Sequence, residues 1–277
     1  MEYSFHDRRH FVGGLFGLGL AASVELSAAD HNEKLKLGVT TYSLRKFSRQ
    51  QAIPMLQQLH VRYLSIKELH LPYKDSSEAL ASGRKELDDA GFIVLSGGVV
   101  VTYHEENSQL RKYFDYAKAC RFPMLIMMPT AAQLPGIESL AHEYNIRVAI
   151  HNHGPEDKNF PTPKSAYDAI RPFDRRVGLC IDVGHTARAG ANVLESINRY
   201  SDRLLDVHIK DLKTTTSHSD CEVGRGVLPI PQILKLLQKL RYKGDIALEY
   251  EADPDNPMPG MRASLAYMQG VLDGFAS

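Results

Sequence analysis

The sequence predicts an α/β fold of one domain, a closed (β/α)8 barrel of the TIM type, and three observations predict it. Apolar, strand-like runs recur roughly every thirty residues. Stretches with the three-to-four spacing of amphipathic helices lie between them. No G-x-G-x-x-G follows the first run, which argues against a dinucleotide-binding open sheet. Eight strands alternating with helices call for parallel pairing through right-handed crossovers, and at 277 residues a closed barrel fits them best.

The elements follow in order. Leu35 to Thr41 is the first strand, and "QAIPMLQQLH" after it reads as a helix. Tyr63 to Leu69 and Phe92 to Val101 are the second and third strands, with the helical "SQLRKYFDYAKAC" next. Met124 to Met128, Arg147 to Ile150 and Val177 to Asp182 supply strands four to six. Leu204 to Ile209 is the seventh, "PIPQILKLLQKL" the helix behind it, and Asp245 to Tyr250 the eighth. No linker interrupts residues 31–277, so they form one domain.

Residues 1–30 are set apart. Paired Arg8 and Arg9 precede an apolar, Gly-rich run from Phe11 to Val24, and Ser27 and Ala29 form an A-x-A-like cleavage site. The run is short for a membrane span. It resembles a twin-arginine export signal, so the expectation is a periplasmic protein with no membrane attachment once the signal is removed.

Lys plus Arg and Asp plus Glu are equal at 33 each, a formal net charge of zero. That removes the basic footprint of a nucleic-acid binder. Cys120, Cys180 and Cys221 are far apart, with no CxxC pair and no disulfide framework. Cys120 and Cys180 read as small buried residues.

A barrel places its reacting groups at the C-terminal ends of several strands, and polar residues accumulate there. Strand five runs into His151-Asn152-His153, strand six into Asp182 and His185, strand seven into His208 and Lys210, and strand eight into Glu249 and Glu251. Side chains two apart share a face. With Val148 and Ile150 turned to the helices, Ala149, His151 and His153 face the axis. With Val207 and Ile209 outward, Asp206, His208 and Lys210 face in. Ile246, Leu248 and Tyr250 leave Ala247, Glu249 and Glu251 inside. On strand two, outward Leu64 and Ile66 turn Lys67 inward.

One inward group per strand yields His151, Asp182, His208 and Glu249. Two imidazoles and two carboxylates at one point form the ligand set of a divalent metal ion (Mn, Co, Zn, Mg or Fe), with calcium disfavoured by the nitrogen ligands. Glu249, Lys210 and His153 are the candidate acid/base groups, and a nearby dication is expected to lower the pKa of Lys210. An ion pair with Asp206 is the plainer reading of Lys210, and helix capping that of Asp182. His185, Glu251, Lys67 and His70 are candidate substrate contacts. In "CEVGRGVLPI", Arg225 or the loop amides could hold a polar ligand, or the loop is a simple turn.

Four segments carry a resemblance: Asp182-Val-Gly-His185, His208-Ile-Lys-Asp211, Gly224-Arg-Gly226 and Glu249. From about Lys36 to Gly274 the chain resembles the xylose isomerase-like TIM barrels, which include sugar phosphate isomerases and epimerases and the family 2 AP endonucleases. The resemblance implies metal at the barrel mouth, with Asp182, His208 and Glu249 in ligand positions and His185 on metal or substrate. Many such proteins carry glutamate where this chain has His151, and their epimerases use two glutamates as acid and base.

The first expectation is therefore a metal-dependent sugar isomerase or epimerase. The second is a lyase or hydratase of keto-sugars or cyclitols, favoured by the histidine at 151. Zero net charge and the expected export argue against a nuclease. A non-catalytic sugar binder is the remaining alternative. The partner expected is a small carbohydrate, with no nucleic acid; a homo-oligomer is compatible with the sequence.

Overall fold

A computed structural model describes residues 35–276, and the export signal expected over residues 1–30 lies outside the described residues. Eight parallel strands close into a barrel. They are β1 (Lys36–Thr40), β2 (Tyr63–Ile66), β3 (Ile93–Val101), β4 (Met124–Met128), β5 (Arg147–His151), β6 (Val177–Asp182), β7 (Leu204–Ile209) and β8 (Asp245–Leu248). Consecutive strands are neighbours around the ring, and β8 closes on β1 with Lys36 opposite Asp245 and Val39 opposite Leu248.

The outer layer holds α1 (Arg49–Gln58), α2 (Ser77–Asp89), α3 (Arg111–Ala119), α4 (Leu134–Tyr144), α5 (Pro163–Ile170), α6 (Val183–Arg188), α7 (Val193–Arg199), α8 (Ile230–Lys239) and α9 (Met258–Ala276). Five helices begin on residues suited to that position: Ser48, Ser76, Thr162, Asp182 and Asn192 each accept a first-turn backbone N–H. No helix among the described residues is long and apolar enough to cross a membrane.

Strand alternation separates two apolar regions. Val148, Ile150, Leu179, Ile181, Val207, Ile209, Ile246 and Leu248 belong to the large core between sheet and helices. Met124, Ile126, Ala149 and Cys180 form a small cluster of their own. All three cysteines are free and buried, as read from the sequence for Cys120 and Cys180.

β2 and β8 stop earlier than the sequence suggests, at Ile66 and Leu248. Past Ile66 the chain turns, with His70 N–H donating to the Lys67 carbonyl. Past Leu248 a single further backbone bond, Glu249 N–H to the Ile209 carbonyl, continues the pairing with β7. β3 is irregular: its register slips beside Leu64 and again between Gly97 and Val100. At Gly98, φ is +135° and a Cβ would strike the Ile126 carbonyl, so only glycine lets the two backbones approach there.

Candidate active site

His151 ends β5, Asp182 ends β6, His208 lies within β7, and Glu249 follows β8 directly. One ligand atom from each of the four lies within 4.8 Å of the others, and all four residues are buried. His151 Nε2 is 3.7 Å from Asp182 Oδ2, and His208 Nδ1 is 3.5 Å from Glu249 Oε2. The Asp182 carboxylate divides its work. Oδ1 accepts the His185 N–H at 2.8 Å and caps α6, while Oδ2 points to the ligand set.

Both ring nitrogens of His151, both of His208 and Oδ2 of Asp182 are buried with no hydrogen-bond partner among the described residues. Buried polar atoms are seldom left so. Their lone pairs are the donor set a divalent ion of intermediate softness takes up, and the residues fit such an ion. The capping reading of Asp182 and the ligand reading hold together, one oxygen each.

Burial pulls the His151 pKa down to about 4 and outweighs the opposing pull of Asp182. Burial likewise pulls His185 down to about 2. Both rings are neutral near pH 7, the form that binds metal or donates to a hydroxyl. For His185 the tautomer follows as well. Arg188 Nη1 donates to its Nδ1 at 3.0 Å, and a guanidinium can only donate, so the ring proton sits on Nε2.

Lys210 stands opposite. Its Nζ lies 2.5 Å from Glu251 Oε1, 2.9 Å from Glu249 Oε2 and 3.3 Å from Asp182 Oδ2. A Cβ on Gly184 would come within 2.5 Å of Lys210 Cγ, so the glycine after Asp182-Val183 makes room for the lysine stem. The protein's own groups act on Lys210 in the opposite sense to a dication. Burial disfavours the ammonium, but the three carboxylates outweigh it and hold the pKa well above its ordinary value. Burial pushes the Asp182 and Glu249 carboxyls up, but Lys210 together with the neighbouring histidines (His185 and His151 at Asp182, His208 and His151 at Glu249) outweighs it and keeps both low. The partners of Lys210 are these three acids rather than Asp206.

The odd residue of His151-Asn152-His153 has its own task. Asn152 Oδ1 accepts the Asp182 N–H at 3.1 Å and its Nδ2 donates to Thr186 Oγ1 at 3.1 Å, tying the end of β5 to that of β6. The flanking histidines are left on the pocket side. His153 packs on His185 with ring centroids 4.3 Å apart.

A cavity of about 370 Å³ opens above the ligand set, within the range of small-molecule sites. His153, His185, Lys67 and Glu251 line it, together with His151, Lys210 and Glu249. Two expected contacts do not reach it. His70 is buried elsewhere, its Nε2 3.1 Å from the Phe47 carbonyl, because the turn after β2 folds it toward the start of α1. Arg225 is exposed, and the amides of its loop are already used. Gly224 and Gly226 N–H donate to Asp211 Oδ2, and Leu228 N–H to Oδ1. A Cβ at Gly226 would collide with that carboxylate. The Gly-Arg-Gly segment therefore wraps the aspartate of His208-Ile-Lys-Asp211; it is a turn, not an anion cradle.

Four polar lining residues lay outside the sequence reading: Tyr42, Arg188, His218 and Asp220. Tyr42 follows β1 directly, where a barrel puts functional groups. Arg188 lies three residues after His185, on the same helix face. His218 sits in the Ser/Thr-rich loop of a short ribbon, Asp211–Leu212 with Asp220–Cys221, and nothing local marks it.

A candidate metal-ligand group beneath a cavity at the C-terminal mouth of a parallel barrel defines the class, a (β/α)8 barrel with a pocket of small-molecule size. Residues 75–271 match the xylose isomerase-like TIM barrel family, and the chain belongs to it. It is 26% identical over 146 residues to an inosose dehydratase of Lactiplantibacillus plantarum, a match covering 46% of this chain and 48% of that enzyme. The 3-keto-D-glucoside 4-epimerase YcjR of E. coli superposes with a TM-score of 0.71 at 14% identity, over 86% of this chain and all of that one. The IOLI protein, solved with a binding zinc atom, superposes with a TM-score of 0.72 at 14% identity, over 87% and 99% of the two chains.

Proposed function

We propose that this protein is a divalent-metal-dependent lyase that removes water from an uncharged keto-polyol, a keto-sugar or cyclitol. The observation that carries the metal is the convergence of His151, Asp182, His208 and Glu249 with their unpartnered buried atoms. A dication held there would polarise a substrate carbonyl and acidify the neighbouring C–H.

The chain's own groups suit the remaining steps. Glu249 and Glu251 are the carboxylates near that carbon, and Lys210 keeps Glu249 ionised. Whichever is free of the metal can take the proton. The Nε2–H of His185 and the ammonium of Lys210 are the donors available to a departing hydroxyl. His153 and Lys67 line the cavity and can orient ring hydroxyls.

The cations of the cavity favour an uncharged substrate. Lys67 Nζ is 3.1 Å from Glu68, Lys210 is 2.5 Å from Glu251, and Arg188 pairs with Glu156. With the loop amides engaged by Asp211, none of these groups is left to neutralise a phosphate.

Water loss stands ahead of epimerisation for two reasons. The dehydratase relative favours it, and His151 removes the strand-five carboxylate that a two-glutamate epimerase would need. Epimerisation stays as the second reading, supported by the epimerase among the structural neighbours. The purified protein, loaded with Mn²⁺, Co²⁺ or Zn²⁺, is incubated with keto-cyclitols and keto-hexoses in deuterated water. Loss of water from the product is expected. A deuterium-labelled epimer of unchanged composition would replace this reading with the second, and a protein that binds no dication would remove both.

A further inference from the structure

Below the ligand set, two acids occupy the interior of the barrel with no part in the reaction just described. Asp206 lies on β7 two residues before His208, so both side chains share the inner face. Asp245 is its partner in register on β8. Both are buried, and Asp206 Oδ2 and both oxygens of Asp245 have no hydrogen-bond partner among the described residues. An apolar side chain of similar size would serve a core better, since an uncompensated buried carboxylate is destabilising. Something other than packing has to account for Asp206.

The geometry around His208 supplies it. The ring stands between two carboxylates: Nδ1 is 3.5 Å from Glu249 Oε2 on the pocket side, and Nε2 is 3.7 Å from Asp206 Oδ1 on the inner side. At 3.7 Å the second contact is longer than a hydrogen bond. No other acid lies within ion-pair distance of Nε2 among the described residues. The same Asp206 oxygen accepts from Cys180 Sγ at 3.7 Å, which anchors the carboxylate against β6. An imidazole can offer a lone pair on one nitrogen only if its proton is on the other. With the proton on Nε2, facing Asp206, the Nδ1 lone pair faces Glu249 and the ligand set.

We propose that Asp206 is a positioning residue for His208: its carboxylate holds the ring so that Nε2 carries the proton and Nδ1 points to the metal. This rests on the metal reading above. It explains why a charged residue is kept in the barrel interior, and it predicts that metal affinity and fold stability respond to Asp206 in opposite directions.

The test uses the full chain, with Co²⁺ as the probe, and compares it with Asp206→Asn and Asp206→Leu. Bound metal is measured by equilibrium dialysis, coordination by the visible Co²⁺ spectrum, and stability by thermal unfolding without metal. The expected result is a loss of Co²⁺ affinity of about 10- to 100-fold, greater for Leu, with an altered visible spectrum. Unfolding temperatures should equal or exceed that of the parent, because burial of the carboxylate costs more than its contacts with His208 and Cys180 return. Parent-like affinity and spectrum in both variants overturn the proposal. So does an affinity loss accompanied by a matching loss of stability, which would make Asp206 merely structural. If the leucine variant does not fold, the near-isosteric asparagine decides by the same criteria. Failure of the parent itself to bind Co²⁺ would instead strike the metal reading, and is told apart by that control.

Discussion

The two walls of the pocket are made of different chemistry. The wall from β7 and β8 carries Lys210, Glu249 and Glu251 in a network of full charges, with Nζ–O distances of 2.5 and 2.9 Å. The wall from β5 and β6 carries His151, His153 and His185, with ring centroids 4.3 to 5.9 Å apart. Burial keeps two of these rings, His151 and His185, uncharged. One wall can take a proton as a carboxylate; the other can bind, orient and donate. An enzyme that inverts a carbon by passing protons between two carboxylates needs an acid on both sides. Here the acids that line the cavity, Glu249, Glu251 and Asp220, come from β8 and the segment between β7 and β8, while Asp182 at the end of β6 does not line it.

The largest expected effect comes from Asp182→Ala, which removes the group joining the walls. Bound dication should fall from one per chain to none by metal analysis, and kcat by about 10³-fold. A folded variant that keeps its metal would dissolve the centre. Next, Lys210→Met leaves three carboxylates facing one another without their cation. Stability at pH 7 should fall by about 3 kcal/mol in chemical denaturation, with a loss of kcat of about 10²-fold or more. Unchanged stability would mean that the charged wall does not depend on its lysine.

A pH titration tests the other wall on a similar scale. His151 takes up its proton near its ordinary 6.5 when unfolded and near 4 when folded. Between those values the unfolded chain binds more protons, so stability falls as pH drops from about 6.5 to about 4. The amount is about 3 kcal/mol for this group. His151→Gln should flatten that part of the curve; an equally steep fall in the variant would assign it to another group.

His151→Glu sharpens the comparison by putting a carboxylate on the imidazole wall. Preference between ions should move toward Mn²⁺ and away from Zn²⁺ by about tenfold in competitive binding, as the set hardens. Labelled epimer should rise relative to dehydrated product in deuterated water. No shift in either ratio would show that the residue at 151 does not set the outcome. The smallest effect is expected at the rim: Arg225→Ala should leave kcat/KM within about twofold, since the side chain is exposed and outside the cavity. A larger loss would return Arg225 to the site.

Much of this arrangement was legible in the chain. Alternation placed His151, His208, Lys210 and Glu249 on the inner face because both faces of a barrel strand are buried but only one can hold charge. The structure brings His151, Asp182, His208 and Glu249 together at the barrel mouth, yet some tasks of the motif residues were not readable. Asp211 and Gly226 look like site residues in sequence and prove to be a carboxylate and the turn wrapped around it. His70 has the composition of a ligand and the location of a core residue. Arg188 and His218 reach the pocket from one helical turn and one ribbon loop, and no periodicity states where a long side chain or a loop tip will end.

By itself the sequence determined the barrel, the order of its strands and which side chains face its axis, since period-two and helical patterns are local and burial enforces them. Only the tertiary structure decided which of those inward groups meet and in what state. The sign of the Lys210 shift, the neutrality of His151 and His185 and the place of Asp206 behind His208 all depend on distances between strands far apart in the chain. Electrostatic energies follow those distances and the local burial, and neither is written in the residues singly.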